Sequence, residues 1–261
     1  INLPLRMSRR AVVRLLIALT LMFSLASVAA VVAQPAQAAV GDGCYTWSRV
    51  PLSSGMSGAD VPQLQIRVAG WMAYGEVLSI DGSFGPKTEA AVRRFQAGYG
   101  LSVDGVAGPQ TLGKIVELQK NDCSPAHFAW SEVDGGCGQG GFSGGALPPD
   151  QIKENLKRAM WKAEAMRHKL GDRPINASGF RSYSCNNSIP NADPNSQHLY
   201  GRALDLTATW GTVTGGLCDI ARAARYAGYN GILGPGYQYH NDHVHVDSRS
   251  SRSWAAPTCG I

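Results

Sequence analysis

The chain has no Cys-x-x-Cys pair, which excludes the thiolate zinc sites built on that spacing. It also has no basic segment with interleaved aromatics, so nucleic-acid binding is not expected. The formal net charge of +5 does not reopen that question, because Arg6, Arg9, Arg10 and Arg14 precede a leader-like apolar run and leave with it, reducing the remainder to +1. Charged residues make up 16% and apolar residues 44% of 261 positions, an ordinary globular composition for one or two domains. Histidine is scarce, with six in all. Four of them fall in two short segments, residues 196–205 and 239–247, and the rest of the chain reads as support for those segments.

The apolar run of residues 15–33 is followed by Ala36-Gln37-Ala38, the small-x-small pattern that signal peptidase reads. Residues 1–38 are therefore expected to be a signal peptide, with the mature chain starting near Ala39. The run is long enough to just span a bilayer, but its Ala and Ser content and the cleavage pattern favour removal, so no stable membrane association is expected. Ser8-Arg9-Arg10-Ala11 is also similar to a twin-arginine export signal, the first residue is Ile, and Met7 is the candidate start. All six cysteines follow the leader, and an even count in an exported chain reads as disulfides. Fifteen connectivities are open. Cys44 and Cys123 bracket a first module and are natural partners, and pairing Cys137 with Cys185 and Cys218 with Cys259 crosses no domain boundary.

That first module carries an internal repeat. Asp81-Gly82-Ser83-Phe84-Gly85-Pro86-Lys87-Thr88 returns 23 residues later as Asp104-Gly105-Val106-Ala107-Gly108-Pro109-Gln110-Thr111. In each copy Asp-Gly supplies a tight turn, and Gly-Pro-x-Thr opens a helix with proline in its first turn, where the missing N–H costs nothing. Ala91, Val92, Phe95 and Tyr99 then follow at helical spacing, as do Leu112, Ile115 and Leu118, and Val61, Leu64, Gln65 and Val68 predict a third helix ahead of both. The pattern resembles the three-helix peptidoglycan-binding module of bacterial wall hydrolases. That resemblance implies wall binding by residues 39–123, with Trp71, Tyr74 and Tyr99 as candidate faces for sugar rings. On this reading the module is a tether, removable without loss of turnover on a soluble substrate.

Residues 124–149 contain the most glycine-rich stretch and read as a flexible linker. Asp150 stands where an N-cap belongs, ahead of Ile152, Leu156, Ala159, Met160, Ala163, Met166 and Leu170 at helical spacing, with His168 near the helix C-terminal dipole. Short segments at 175–180, 203–207 and 244–247, with a helix from about 217 to 227, predict an α+β domain over 150–261 with an antiparallel sheet.

Neutral imidazole and carboxylate are the usual ligands of a catalytic zinc, and His198, Asp205 and His245 supply such a set. Gly201 and Ala203 leave room for the chain to bend between the first two. Asp242 precedes the last by three residues and is the candidate general base, placed at the start of a strand rather than within it. Ser-x-His-x-x-Gly-x-Ala-x-Asp followed by Asp-x-x-His and His-x-His resembles the secreted zinc D-Ala-D-Ala carboxypeptidases of actinomycetes, relatives of vancomycin-resistance dipeptidases and hedgehog-type zinc domains. The resemblance implies one zinc per chain, the same three disulfides, and an active-site role for Arg181 near the scissile carbonyl or terminal carboxylate of the substrate. It also implies that His240 can stabilise the developing oxyanion. His243 could share that role or orient a ligand, and Ser196 could support His198. Tyr237-Gln238-Tyr239 is bulkier than a glycine-rich approach to His240 would be. The expectation is a secreted, monomeric wall enzyme acting on peptidoglycan stem peptides. The alternatives are an endopeptidase cutting another stem or cross-bridge bond, and a non-catalytic wall-binding protein with structural zinc.

Overall fold

In the computed structural model, which describes residues 44–134 and 140–261, each Asp-Gly turn of the repeat is held by a glutamine from the helix before it. Helix α1 spans Asp60–Val68, α2 Pro86–Gly98 and α3 Pro109–Glu117. The Gln65 amide donates to Asp81 Oδ1, Ser83 O and Thr88 Oγ1 at 2.9–3.1 Å, and its oxygen accepts from Gly82 N. Gln96 repeats the pattern on Asp104, Val106 O, Thr111 and Gly105 N at 2.7–3.0 Å. Gly82 and Gly105 sit at φ +76° and +74°, the left-handed region that glycine enters without a Cβ penalty. A third such turn lacks the glycine: Asp122 Oδ1 accepts from Ser124 N at 3.0 Å around Cys123, itself at φ 72° and bridged to Cys44. Gln119, one repeat period after Gln96, instead accepts from Arg67 Nε of α1 at 3.1 Å.

The predicted apolar positions of the three helices form the module core, with Val61, Leu64, Val68, Ala91, Val92, Phe95, Leu112 and Ile115 buried. Trp71 is buried with them, edge-on to Phe95 and Tyr99. Its face is therefore not open to a sugar ring, and Tyr99 is largely taken up in the same cluster. Tyr74 keeps about half its surface exposed, although it packs edge-on to Tyr226 and Trp254.

The second domain starts earlier than its motif. Short helix α4 (Trp130–Val133) and Phe128 contribute Phe128 and Val133 to its core. Within the described part of the glycine-rich stretch, Phe142 and Gly145 are packed, whereas a Cβ on Gly140 or Gly141 would meet nothing. Phe142 lies between Trp130 and Phe180, and a Cβ on Gly145 would stand 2.5 Å from the Phe180 ring. Helix α5 (Pro149–Lys169) begins with proline, and its N-cap is Pro148 with no side-chain cap. Asp150 thus lies inside the first turn, where a carboxylate favours the helix dipole, rather than at the cap. Strand β1 is Ile175–Ser178, shorter than predicted because its pairing with the next strand ends at Ser178 and the Phe180 N–H donates to Val133 O instead. Helix α6 (Tyr183–Ser188) follows, then β2 (Ala203–Ala208), and α7 (Val213–Ala224), which starts earlier than predicted because the Thr212 side chain caps it. Strands β3 (Gly231–Leu233), β4 (Val244–Asp247) and β5 (Ser253–Ala255) complete a sheet of order β1-β2-β4-β3-β5, antiparallel except for β3–β5.

Leu204, Leu206, Val244, Val246 and Ile232 share the core with Leu156, Met160, Leu217 and Ile220 of α5 and α7. Because side chains alternate along a strand, Asp205, His245 and Asp247 project to the other face. Cys44–Cys123 and Cys218–Cys259 are bonded as expected. Cys185 is also disulfide-bonded, and its expected partner Cys137 lies outside the described residues, as does the expected signal peptide.

The module is not a loose tether. Trp161 and Ala165, on the outer side of α5, are buried in the module core. A Cβ on Gly70 would stand 2.5 Å from Ala165 Cβ and 2.9 Å from Lys162 Cα, so only glycine permits this approach. His168 Nε2 donates to Gly98 O at 2.9 Å while its ring lies 4.3 Å from that of Tyr99, so this histidine docks α5 to α2.

Candidate metal centre

Asp205 on β2 and His245 on β4 are direct cross-strand partners, which places their side chains side by side on one face. His198 comes from a single 3-10 turn, Gln197–Tyr200, whose N-cap Ser196 Oγ accepts from the His198 backbone and whose end is turned by Gly201 at φ 65° into β2. Ser196 therefore supports His198 through the backbone rather than through the ring. The His198 ring donates from Nδ1 to Gly179 O at 2.5 Å, so its other nitrogen carries the lone pair toward the site. His198 Nε2, His245 Nδ1 and Asp205 Oδ1 form a triangle with edges of 3.0, 3.0 and 3.1 Å. Ligand atoms about 2.0–2.1 Å from a tetrahedral zinc lie about 3.3 Å apart, so this donor set fits the ion in both size and chemistry. These three residues form the one group among the described residues that could hold a metal. Three protein ligands rather than four is the arrangement of a catalytic site.

The electrostatics follow from burial and contact. Burial would raise the Asp205 carboxyl, but the charges and hydrogen bonds of His198 and His245 hold it well below its ordinary value. Burial pushes His198 down against the pull of Asp205. Burial also lowers His245, but hydrogen bonds to Asp205 and Asp247 outweigh it and raise the group to about 9. A histidine raised above its ordinary value of 6.5 contributes stability that is complete below that value and lost as pH rises through about 9. With metal removed by a chelator, the melting temperature should therefore fall between pH 6.5 and 9, and His245→Gln should remove that slope. A parent protein with no such fall would contradict the assigned protonation.

Arg181 follows β1, and its guanidinium reaches the centre through Asp205. Nη2 donates to Oδ2 at 2.5 Å while Oδ1 faces the histidines. Asp242 lies just ahead of β4 as expected, with its side chain 86% exposed and accepting from His243 Nδ1 at 2.7 Å. His243 Nε2 stands 3.7 Å from Asp205 Oδ1. The hydrogen bond from His243 keeps the Asp242 carboxyl below its ordinary value. His240 donates from Nδ1 to Gln238 O at 2.7 Å, and its ring centroid is 4.8 Å from that of His243 and 6.0 Å from that of His245. Burial pushes its pKa down. The structure thus gathers His198, Asp205, His245, Arg181 and His240 around one point, with Asp242 joined through His243. The sequence reading did not single out Gly179, whose carbonyl sets one histidine tautomer, or Asp247, which accepts from the far nitrogen of the other at 2.9 Å.

A helical module of wall-binding type joined to an α+β domain with a His/Asp/His centre defines a modular metallopeptidase. Residues 57–115 match the peptidoglycan binding domain family and residues 126–247 match Peptidase M15, and the chain belongs to the M15 peptidases, which are hydrolases. It is 46% identical over 259 residues, 99% of this chain and 98% of the relative, to the zinc D-Ala-D-Ala carboxypeptidase of Streptomyces albus G. Among solved structures, it is 34% identical to a fused Zn-dependent amidase/peptidase/peptidoglycan-binding domain-containing protein from Clostridium acetobutylicum ATCC 824, over 25% of this chain and 28% of that one, with a TM-score of 0.23. A peptidoglycan-binding protein from Clostridioides difficile is 39% identical over 28% of this chain and 45% of its own, with a TM-score of 0.25.

Proposed function

We propose that the protein is an exported zinc carboxypeptidase that hydrolyses the terminal D-Ala-D-Ala bond of peptidoglycan stem peptides. In this reading the module of residues 39–123 contacts the wall, and residues 124–149 join it to the peptidase domain of 150–261 while lending Phe128, Val133 and Phe142 to that domain's core. The observation that carries the reading is the 3.0–3.1 Å triangle of His198, Asp205 and His245 in a chain that matches a zinc D-Ala-D-Ala carboxypeptidase along its whole length. No helix among the described residues is long and apolar enough to cross a membrane.

His198, Asp205 and His245 would hold the ion. Zinc bound there would supply a Lewis acid and a water acidified to a pKa of about 7. Asp242 accepts the proton of the attacking water as a carboxylate, and His243 steers it toward the centre through their hydrogen bond. His240 faces the developing oxyanion with Nε2. Its Nδ1–H is committed to Gln238 O, so Nε2 can donate only when the ring carries a second proton, a form that burial disfavours until negative charge develops beside it. Arg181 neutralises the outer oxygen of Asp205 and offers its remaining donors to the substrate carbonyl or terminal carboxylate.

Asp242→Asn keeps the size of the side chain and removes its capacity to accept a proton. It should retain one zinc per chain while turnover of a stem peptide ending in D-Ala-D-Ala falls by about 10² to 10⁴. Mass analysis of the products decides the bond, since loss of a single alanine supports the carboxypeptidase and internal cleavage refutes it.

A further inference from the structure

We propose that Asp247 is a positioning residue for the metal centre, fixing the His245 ring so that Nδ1 faces Asp205 and His198. The inference rests on the zinc reading above and adds to it a residue outside the ligand set. His245 and Asp247 are two apart on β4 and so project from the same face of the strand. His245 Nε2 donates to Asp247 Oδ2 at 2.9 Å, and Asp247 is fully buried. A histidine that presents Nδ1 to a site points its distal nitrogen away from it, and an acceptor must be waiting there for the ring to hold that orientation. The two ring ligands therefore solve the same problem differently, His198 with a neutral carbonyl and His245 with a carboxylate. A carboxylate acceptor makes the imidazole the stronger donor toward a metal.

The carboxylate is itself held in place. Arg249 donates to Asp247 Oδ1 from its backbone N and from Nε, both at 2.9 Å, and to Oδ2 from Nη2 at 2.5 Å. On the neighbouring strand Gly231 is the register partner of Asp247, and a Cβ there would lie 2.3 Å from Cγ and from both carboxylate oxygens. The space that Asp247 occupies exists because residue 231 has no side chain. His245, Asp247, Arg249 and Gly231 thus form a chain of constraint that reaches the metal through a single ring nitrogen.

The test compares the full-length parent with Asp247→Asn, which keeps shape and loses charge, by chelator competition for zinc and by the visible absorption of the cobalt-substituted protein. Zinc affinity should weaken about 10- to 100-fold and the cobalt bands should shift. A purely structural role would leave the cobalt bands in place. Unchanged affinity or unchanged bands, either one alone, overturns the proposal. Should Asp247→Asn fail to fold, Arg249→Gln loosens the same carboxylate from its solvent side and should give the same two changes at several-fold size, with the same outcomes overturning it. A parent chain that takes up no zinc at all fails the metal reading itself, which distinguishes that failure from one confined to Asp247.

Discussion

Asp205→Ala should strip the protein of zinc and of turnover together. The side chain supplies one corner of the donor triangle with Oδ1 and the partner of Arg181 with Oδ2. Its loss removes a ligand and leaves a guanidinium beside two imidazoles, so the remaining positive charge works against a cation. His198→Ala and His245→Ala each remove one corner and should also lower metal affinity. Zinc content after dialysis and turnover should fall in step for all three, and part company for Asp242→Asn. If Asp242→Asn lost its zinc while His245→Ala kept it, Asp242 would belong among the ligands and the assignment would be wrong.

Deleting residues 39–123 should cost the peptidase its fold rather than only its grip on the wall. Trp161 and Ala165 of α5 are buried in the module core, and Gly70 of the module lies against the α5 backbone at Lys162. A buried tryptophan covers about 150–250 Å², worth roughly 4–6 kcal/mol at about 25 cal/mol per Å², against a total stability of about 5–15 kcal/mol for a typical domain. The truncated chain should bind a hydrophobic dye, lose its near-ultraviolet circular dichroism and lose turnover even on a soluble stem peptide. A truncated protein that kept parental turnover on that peptide would show that the α5 contact is dispensable and restore the tether expectation.

The His198, Asp205 and His245 group that could hold a metal was legible in the sequence because its spacing carries the chemistry. A 3-10 turn ended by Gly201 sets His198 seven residues ahead of Asp205 on β2, and the neighbouring strand β4 delivers His245. The three module helices were legible from proline and apolar period. What escaped were features whose cause lies in another part of the chain. Trp71 reads locally as an exposed aromatic after a helix and is buried by contacts with Phe95, Tyr99 and His168 that no window contains. The glycine-rich stretch reads as flexible, yet Gly145 is small because Phe180 and Leu199 press on it. The short strands β3 and β5 have three residues each, too few to show a period. Asp247 looked like the end of a strand, and only the position of His245 Nε2 gives it a task.

The third Asp-centred turn says how the repeat array stops growing. Two copies hand a glutamine forward to the next Asp-Gly turn, but Gln119 reaches back to Arg67 on the first helix, and the turn at Asp122 carries Cys123 where glycine stood before. Its bond to Cys44 ties the last turn to the segment that leads into the first helix. The array is thereby closed into a ring with a covalent clasp, and an added copy would have to open that clasp and release Gln119 before it could find a glutamine to hold its own turn.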